Sequence, residues 1–234
     1  MIEEHQIDAV FTTGRHIAAP AILAARMRQK PPIIHKSNYI PGKVTKFISR
    51  WCDAVALCFA GTEQYLPQTK TIHVSTPVRS QFLTPQAVDL NILDEAIVIL
   101  VVGGSQGAVA VNRLVRQAGS AWFDLGAYVV HLTGSNDPEA DSFRHAQYIT
   151  MPFSDNMAGL LQLLQRANLA ISRAGAGTIT ELAFTGTPAV LIPYPYPAED
   201  RQTYNAKEYK DAGAGVVYQP AKLTVETLQE QVSQ

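Results

Sequence analysis

The chain has 234 residues, 47% hydrophobic and 17% charged, which excludes a disordered polypeptide and leaves room for one large or two small domains. A formal net charge of -1 gives no reason to expect nucleic acid as a partner. Two cysteines, Cys52 and Cys58, argue against a disulfide framework or zinc site and for thiols in a reducing cytoplasm, and no run approaches the roughly eighteen apolar residues of a membrane span.

Residues 1–6 read as the end of a helix, with Glu3 and Glu4 where a secretory leader would carry basic residues. A strand at 9–12 follows at once, and the last residues, 225–232, stop within a helical pattern, so the chain is expected to be a piece of a longer one. After Gly14, the Ala- and Leu-rich stretch 17–27 predicts a helix, 32–35 a strand, 38–42 a loop and 43–51 a helix. Strands are expected at 53–57 and 71–74. Residues 81–94 mix proline, threonine and polar residues, which places a linker between an N-terminal domain, 1–80, and a C-terminal domain, 95–234. The second domain should hold strands at 96–102, 127–132, 147–150, 167–171, 188–192 and 215–218. Strands alternating with helices of this length imply parallel sheets, so the fold class is α/β, with two nucleotide-binding folds facing a cleft.

Two turns carry the functional signal. Residues 96–102, AIVILVV, form an apolar run suited to a strand covered on both faces. Gly103-Gly104-Ser105-Gln106-Gly107-Ala108 follows, and a helical pattern runs from Val109 to Ala118. The second turn, Ser172-Arg173-Ala174-Gly175-Ala176-Gly177-Thr178, leaves the strand at 167–171 and leads into a helical stretch with Glu181 one turn inside. Glycines admit a phosphate against backbone N–H groups where the helix dipole is positive, and a nearby carboxylate can accept two hydrogen bonds from a ribose diol. The turn at 103–108 is neither a P-loop nor a Gly-x-Gly-x-x-Gly fingerprint.

Other residues read two ways. Arg79 suits a diphosphate or bulk solvent. Phe153 to Met157 is either a base-flanking pair or a capped helix start with a hydrophobic staple. Asp200 reads as a cap for a helix on which Gln202 and Asn205 share one face, where amides suit sugar hydroxyls or water. Lys43, Lys46 and Arg50, interleaved with Val44, Phe47, Ile48 and Trp51, suit an anionic membrane surface or a partly buried surface helix. His5, His16, His35, His73, His131 and His145 lack metal-ligand spacing, so no protein-built metal site is predicted. No Gly-x-Ser-x-Gly elbow is present, which removes the α/β-hydrolase reading.

With GGSQGA at 103–108, FSDNM at 153–157, SRAGAGTITE at 172–181 and DRQTYNA at 200–206, the chain resembles the MurG family. IHKSNYIPG at 34–42 and Pro77-Val78-Arg79 fit the same pattern. The resemblance implies a GT-B fold. It also implies inverting, metal- and cofactor-free transfer of N-acetylglucosamine from UDP-GlcNAc to an undecaprenyl-linked muramoyl-pentapeptide (lipid I to lipid II) in peptidoglycan synthesis. Such an enzyme works in the cytoplasm, peripherally on the inner membrane surface, and serves cell shape and division. By the same resemblance, Gly104, Ser105, Gln106 and Arg79 hold the diphosphate, and the Phe153–Ser154 backbone reads uracil. Ala176, Gly177 and Thr178 line the nucleotide, and Glu181 binds the ribose. Gln202 and Asn205 address the sugar, and Asn38 reaches the donor from the first domain.

Departures from the family pattern are also visible. A GTGGH-like loop is absent, so no catalytic base is named. Gly14-Arg15-His16 stands where the family has Gly-Gly-Tyr, and Lys36 where an acid is common. The isolated chain is expected to bind UDP-GlcNAc weakly and to turn over slowly or not at all. A non-catalytic or partner-dependent UDP-sugar-binding fragment, or a GT-B transferase with another lipid acceptor, fits the same residues.

Overall fold

A computed structural model describes residues 2, 4–78, 80, 90, 92–93, 95–104, 108–151, 157–194 and 200–234. The chain divides into two compact units, Met1–Pro77 with Ala198–Asn205, and Val78–Pro197 with Ala206–Gln234.

The first unit holds β1 (Val10–Thr12), α1 (Ala18–Met27), β2 (Pro32–Lys36), α2 (Lys43–Ile48), β3 (Ala54–Leu57) and β4 (Thr71–His73). Its sheet runs β1-β2-β3-β4, all parallel. Ile22 from α1 and Ile48 from α2 close over Ile34, Val55 and Leu57 of the strands. Each such side chain contributes roughly 1.5–3 kcal/mol when fully buried. The helix expected at 1–6 is not formed by the described residues there, which make turns, with Ile7 N donating to Ile2 O at 3.0 Å. A stretch this short and polar has no apolar face to bury, and helix nucleation is costly. The helix expected at 43–51 becomes α2 followed by a 3-10 turn, Ser49–Trp51.

The second unit holds β5 (Val98–Val102), α3 (Val109–Asp124), β6 (Tyr128–Leu132), β7 (Tyr148–Met151), α4 (Met157–Arg166), β8 (Leu169–Ser172), α5 (Ala176–Thr185) and β9 (Ala189–Leu191). After them come α6 (Arg201–Asp211), whose residues through Asn205 count with the first unit, β10 (Gly215–Val217) and α7 (Val225–Ser233). The sheet is parallel throughout, in the order β10-β9-β8-β5-β6-β7. All five residues of β5 are buried, as an unbroken Val-Ile-Leu-Val-Val run between two neighbours requires. α3 turns Val111, Val115, Ala118 and Trp122 inward at helical spacing, against Ile99, Val101 and Val129 of the sheet. Its apolar face continues through Trp122, so the helix runs past the expected end near 118.

Candidate functional site

The connections of the second sheet create a switch point. From β5 the chain proceeds to β6 and β7 on one side, then returns to β8, β9 and β10 on the other. Ligands of open α/β sheets bind outside the carboxyl ends of the strands at such a reversal. Val102 of β5 pairs with Ser172 of β8, so both glycine turns leave the sheet from adjacent strands at the same level.

The first turn opens with Gly103 and Gly104. A side-chain carbon on Gly103 would lie 2.8 Å from Ala108 N, so the turn folds back on itself too tightly for any other residue. Gly104 follows at φ +84°, a left-handed conformation, with nothing within 4 Å of where a Cβ would stand. Ser105 and Gln106 lie outside the described residues, as do Arg79, Phe153 and Ser154.

At the second turn, α5 begins at Ala176 with Gly175 as its N-cap, three residues before the periodic stretch that starts at Ile179. Glu181 is the sixth residue of the helix and stands in its second turn. Gly177, Thr178 and Glu181 still share a face, being four and three residues apart, while Ala176, Ile179 and Leu182 are buried on the other side. The amides of the first turn of α5 point outward at its positive end. Arg173, to which sequence reasoning gave no role, clamps this turn to the exit of β9. Its Nη1 donates to Ile192 O at 3.2 Å and Pro193 O at 3.0 Å, and the guanidinium lies over the Tyr194 ring at 5.3 Å. An arginine directly after an apolar strand, followed by glycines, was the available signal.

The remaining predicted residues fall in the first unit. Asn205 is completely buried. Its Oδ1 accepts from Tyr39 N at 2.9 Å and its Nδ2 donates to Asn38 Oδ1 at 3.1 Å, so Asn38 and Asn205 are brought together. Gln202, three residues before Asn205, is partly exposed at the start of α6, which Asp200 immediately precedes.

Asn38 also lines a cavity of about 730 Å³ in the same unit. Arg15, His16, Lys36, Lys43 and Arg201 line it too, and no carboxylate does so among the described residues. Lys36 is buried, and burial together with the nearby Arg201 charge lowers its ammonium to about 8. Gly14 and Arg15 take left-handed backbone conformations at its rim, with φ 88° and 70°. This concentration of cationic side chains makes it an anion-binding cavity in chemical character.

On α2 and the turn after it, Phe47 is 56% exposed and meets Trp51 edge-on, with ring centroids 5.0 Å apart. Arg50 lies over both rings, 4.6 Å from Phe47 and 5.1 Å from Trp51. Among the described residues no helix is long and apolar enough to cross a membrane.

Two parallel α/β units of this kind define the GT-B class of nucleotide-sugar enzymes. The glycosyltransferase family 28 C-terminal domain matches residues 98–234 and the family's N-terminal domain matches residues 1–57; the chain belongs to glycosyltransferase family 28. It is 62% identical over 232 residues to the UDP-N-acetylglucosamine--N-acetylmuramyl-(pentapeptide) pyrophosphoryl-undecaprenol N-acetylglucosamine transferase of Gloeothece citriformis, covering 99% of this chain and 64% of the relative. The protein of that name from Rippkaea orientalis is likewise 62% identical, with 99% and 65% covered. Among solved structures, MurG of Acinetobacter baumannii superposes with a TM-score of 0.76 at 29% identity, over 99% of this chain and 65% of that one. The chain thus spans a little under two thirds of the length of these relatives.

Proposed function

We propose that this chain forms the donor-binding part of an inverting glycosyltransferase that moves N-acetylglucosamine from UDP-GlcNAc to an undecaprenyl-pyrophosphoryl-MurNAc-pentapeptide acceptor, the lipid I to lipid II step of peptidoglycan synthesis. The observation that carries this reading is the pair of glycine turns leaving register-matched strands at the switch point of the second sheet. The activity for which the relatives are named points the same way.

In this reading the diphosphate lies against Gly104, Ser105 and Gln106, with Arg79 adding charge. Uracil meets the Phe153–Ser154 backbone, the Ala176 backbone with Gly177 and Thr178 lines the nucleotide, and Glu181 accepts from the ribose. As the bond to the sugar breaks, negative charge grows on the UDP oxygens. Fixed backbone N–H groups and the positive end of α5 stabilise that charge without having to reorganise. The acceptor hydroxyl attacks from the opposite face of the sugar, which inverts the anomeric centre. Gln202 and Asn38 address the sugar, and Asn205, already bonded to Asn38, orients it. The cationic cavity of the first unit suits the diphosphate of a lipid-linked acceptor. Phe47 and Trp51, flanked by Lys46 and Arg50, suit the cytoplasmic face of a membrane carrying that lipid. The domain division that goes with this function is 1–80, a linker at 81–94, and 95–234.

Calorimetric titration of the chain with UDP, UDP-GlcNAc and UDP-glucose tests the donor assignment. UDP-GlcNAc should bind more tightly than UDP-glucose, and a strong preference for UDP-glucose would make the assigned donor wrong. Labelled UDP-GlcNAc offered with several lipid-linked acceptors tests the acceptor.

A further inference from the structure

Beneath the first glycine turn, a line of polar side chains is buried within the second unit. Asn112, on α3, has no solvent exposure. Its Nδ2 donates to Thr133 O at 2.8 Å and to Asp137 Oδ2 at 2.7 Å, which uses both amide hydrogens. Oδ1 therefore faces His131, and Nε2 of that ring, 3.0 Å away, must carry the hydrogen. Nδ1 is then left to accept from the Tyr148 hydroxyl at 2.6 Å. At the other end Arg116 donates to both oxygens of Asp137, at 2.8 and 3.3 Å. The direction of every hydrogen along the line is thus fixed by chemistry.

The charges are balanced as well. Arg116 and Asp137 cancel, and the imidazole stays neutral because burial, then the Arg116 charge, pushes it down to about 3. A satisfied network of this kind holds its members in one arrangement.

The glycine turn rests on the middle of this line. A side-chain carbon at Gly103 would come within 3.2 Å of Asn112 Oδ1. Asn112 N donates to Ala108 O at 2.8 Å. The side chain of Asn112 therefore lies under Gly103, while its backbone N makes the first helical hydrogen bond of α3, to Ala108 O.

We propose that Asn112 is a positioning residue for anion binding at this turn: Thr133, Asp137 and His131 hold its amide, and its Oδ1, lying against Gly103, fixes where the turn leaves β5. The proposal rests on the reading that the donor's diphosphate docks there.

Two measurements on the full chain test it. The first compares affinity for UDP with affinity for uridine, which lacks the diphosphate. Asn112→Ala should weaken UDP by about tenfold, the scale of one lost buried hydrogen-bonding partner. Uridine should stay within about twofold, a difference of under 0.5 kcal/mol. Asn112→Ser serves the same comparison if the alanine variant does not fold. The second is amide hydrogen exchange at Gly103, Gly104 and Ala108, which should accelerate in the variant while Val129 and Val130 of β6 stay protected. Tyr209→Phe is the control: it removes a hydrogen bond to Thr187 O (2.6 Å) elsewhere in the unit and should lower the melting temperature without altering the UDP-to-uridine ratio. Equal weakening of UDP and uridine, or unchanged exchange at the turn, overturns the proposal. If the native chain binds neither ligand, the donor-site reading fails, and exchange at the turn still decides the role of Asn112.

Discussion

Val102 and Ser172 are register partners on adjacent parallel strands, so the turns that follow them open side by side at the switch point of the second sheet. One strand delivers a glycine pair and the other delivers the start of a ten-residue helix. The second places the amides of a helix's first turn at the C-terminal ends of these strands, beside the glycine pair of the first.

Glu181 gives the most direct prediction from that arrangement. It shares a face with Gly177 and Thr178 and is only partly exposed. Replacing it with alanine should weaken UDP binding by about 1–3 kcal/mol, the range for hydrogen bonds to a charged group. Glu181→Gln keeps one acceptor and should lose less. Isothermal titration with UDP and with 2′-deoxy-UDP separates the roles, since the variant should no longer distinguish the two ligands. Undiminished UDP affinity in Glu181→Ala would take this carboxylate out of the site.

Lys36 predicts a pH dependence with a definite sign. Its folded-state pKa is depressed from 10.5 to about 8, by burial first and Arg201 second. Between those values the unfolded chain holds the proton and the folded chain does not, so stability should rise as pH increases from 8 toward 10.5. Below about 8 the cost of the buried charge is fully present. An anion in the cavity favours the charged amine, so pyrophosphate affinity should be highest below that pH and fall above it. Lys36→Met should raise the melting temperature at pH 7 and remove the pH dependence of pyrophosphate binding. A variant that binds pyrophosphate as the native chain does, at pH 7 and at pH 9.5, would show that Lys36 does not serve the anion.

The fold was legible wherever burial left a pattern. β5 is the apolar run at 96–102 less its first two residues, and the alternation of strands and helices yields the two parallel sheets. Boundaries moved where tertiary contacts outweighed local pattern, as at the C-terminal end of α3, where Trp122 and Phe123 enter the core. The glycine turns were legible because close backbone approach leaves few residue choices. The network around Asn112 was not, since its members come from α3, β6, β7 and the loop at 137, and only pairing across the sheet joins them. A lone histidine in an apolar strand, Val-Val-His-Leu, was its one local sign. The cationic cavity was hidden for the same reason: Arg15, Lys36 and Arg201 are remote in sequence, and nothing local to any of them marks a shared cavity.

His131 predicts the acid limit of the second unit. The unfolded histidine takes up a proton near its ordinary value of 6.5, whereas the buried ring resists until about 3. Across that window the unfolded state binds more protons, so stability is lost progressively as pH falls from 6.5. Each pKa unit corresponds to about 1.4 kcal/mol, so the loss should reach a few kcal/mol. His131→Gln preserves a donor for Asn112 and cannot titrate. Its urea midpoint should depend less on pH between 6.5 and 4 than that of the native chain. Parallel curves for the two proteins would assign the acid limb to other groups.

Gly103 and Gly215 separate two consequences of one chemical change. At Gly215 a methyl group would overlap Ala189 O, part of the backbone of the strand that β10 pairs with. Nothing flexible can yield there, so Gly215→Ala must push the edge strand away from β9. Overpacking costs about 1–3 kcal/mol, more when backbone has to move, against a gain of roughly 0.4–1 kcal/mol from the stiffer unfolded chain. β10 lies two strands from the switch point, with β9 and β8 between it and β5. Gly215→Ala should therefore lower the denaturation midpoint while UDP affinity stays within about twofold among molecules that remain folded. At Gly103 the methyl group would meet Ala108 N at 2.8 Å and Asn112 Oδ1 at 3.2 Å, which opens the turn itself. Gly103→Ala should lower UDP affinity more than it lowers stability. Measuring both quantities on both variants puts the two substitutions in opposite corners of a plot of affinity against stability. Equal loss of affinity in the two would mean that UDP does not depend on the shape of the first turn.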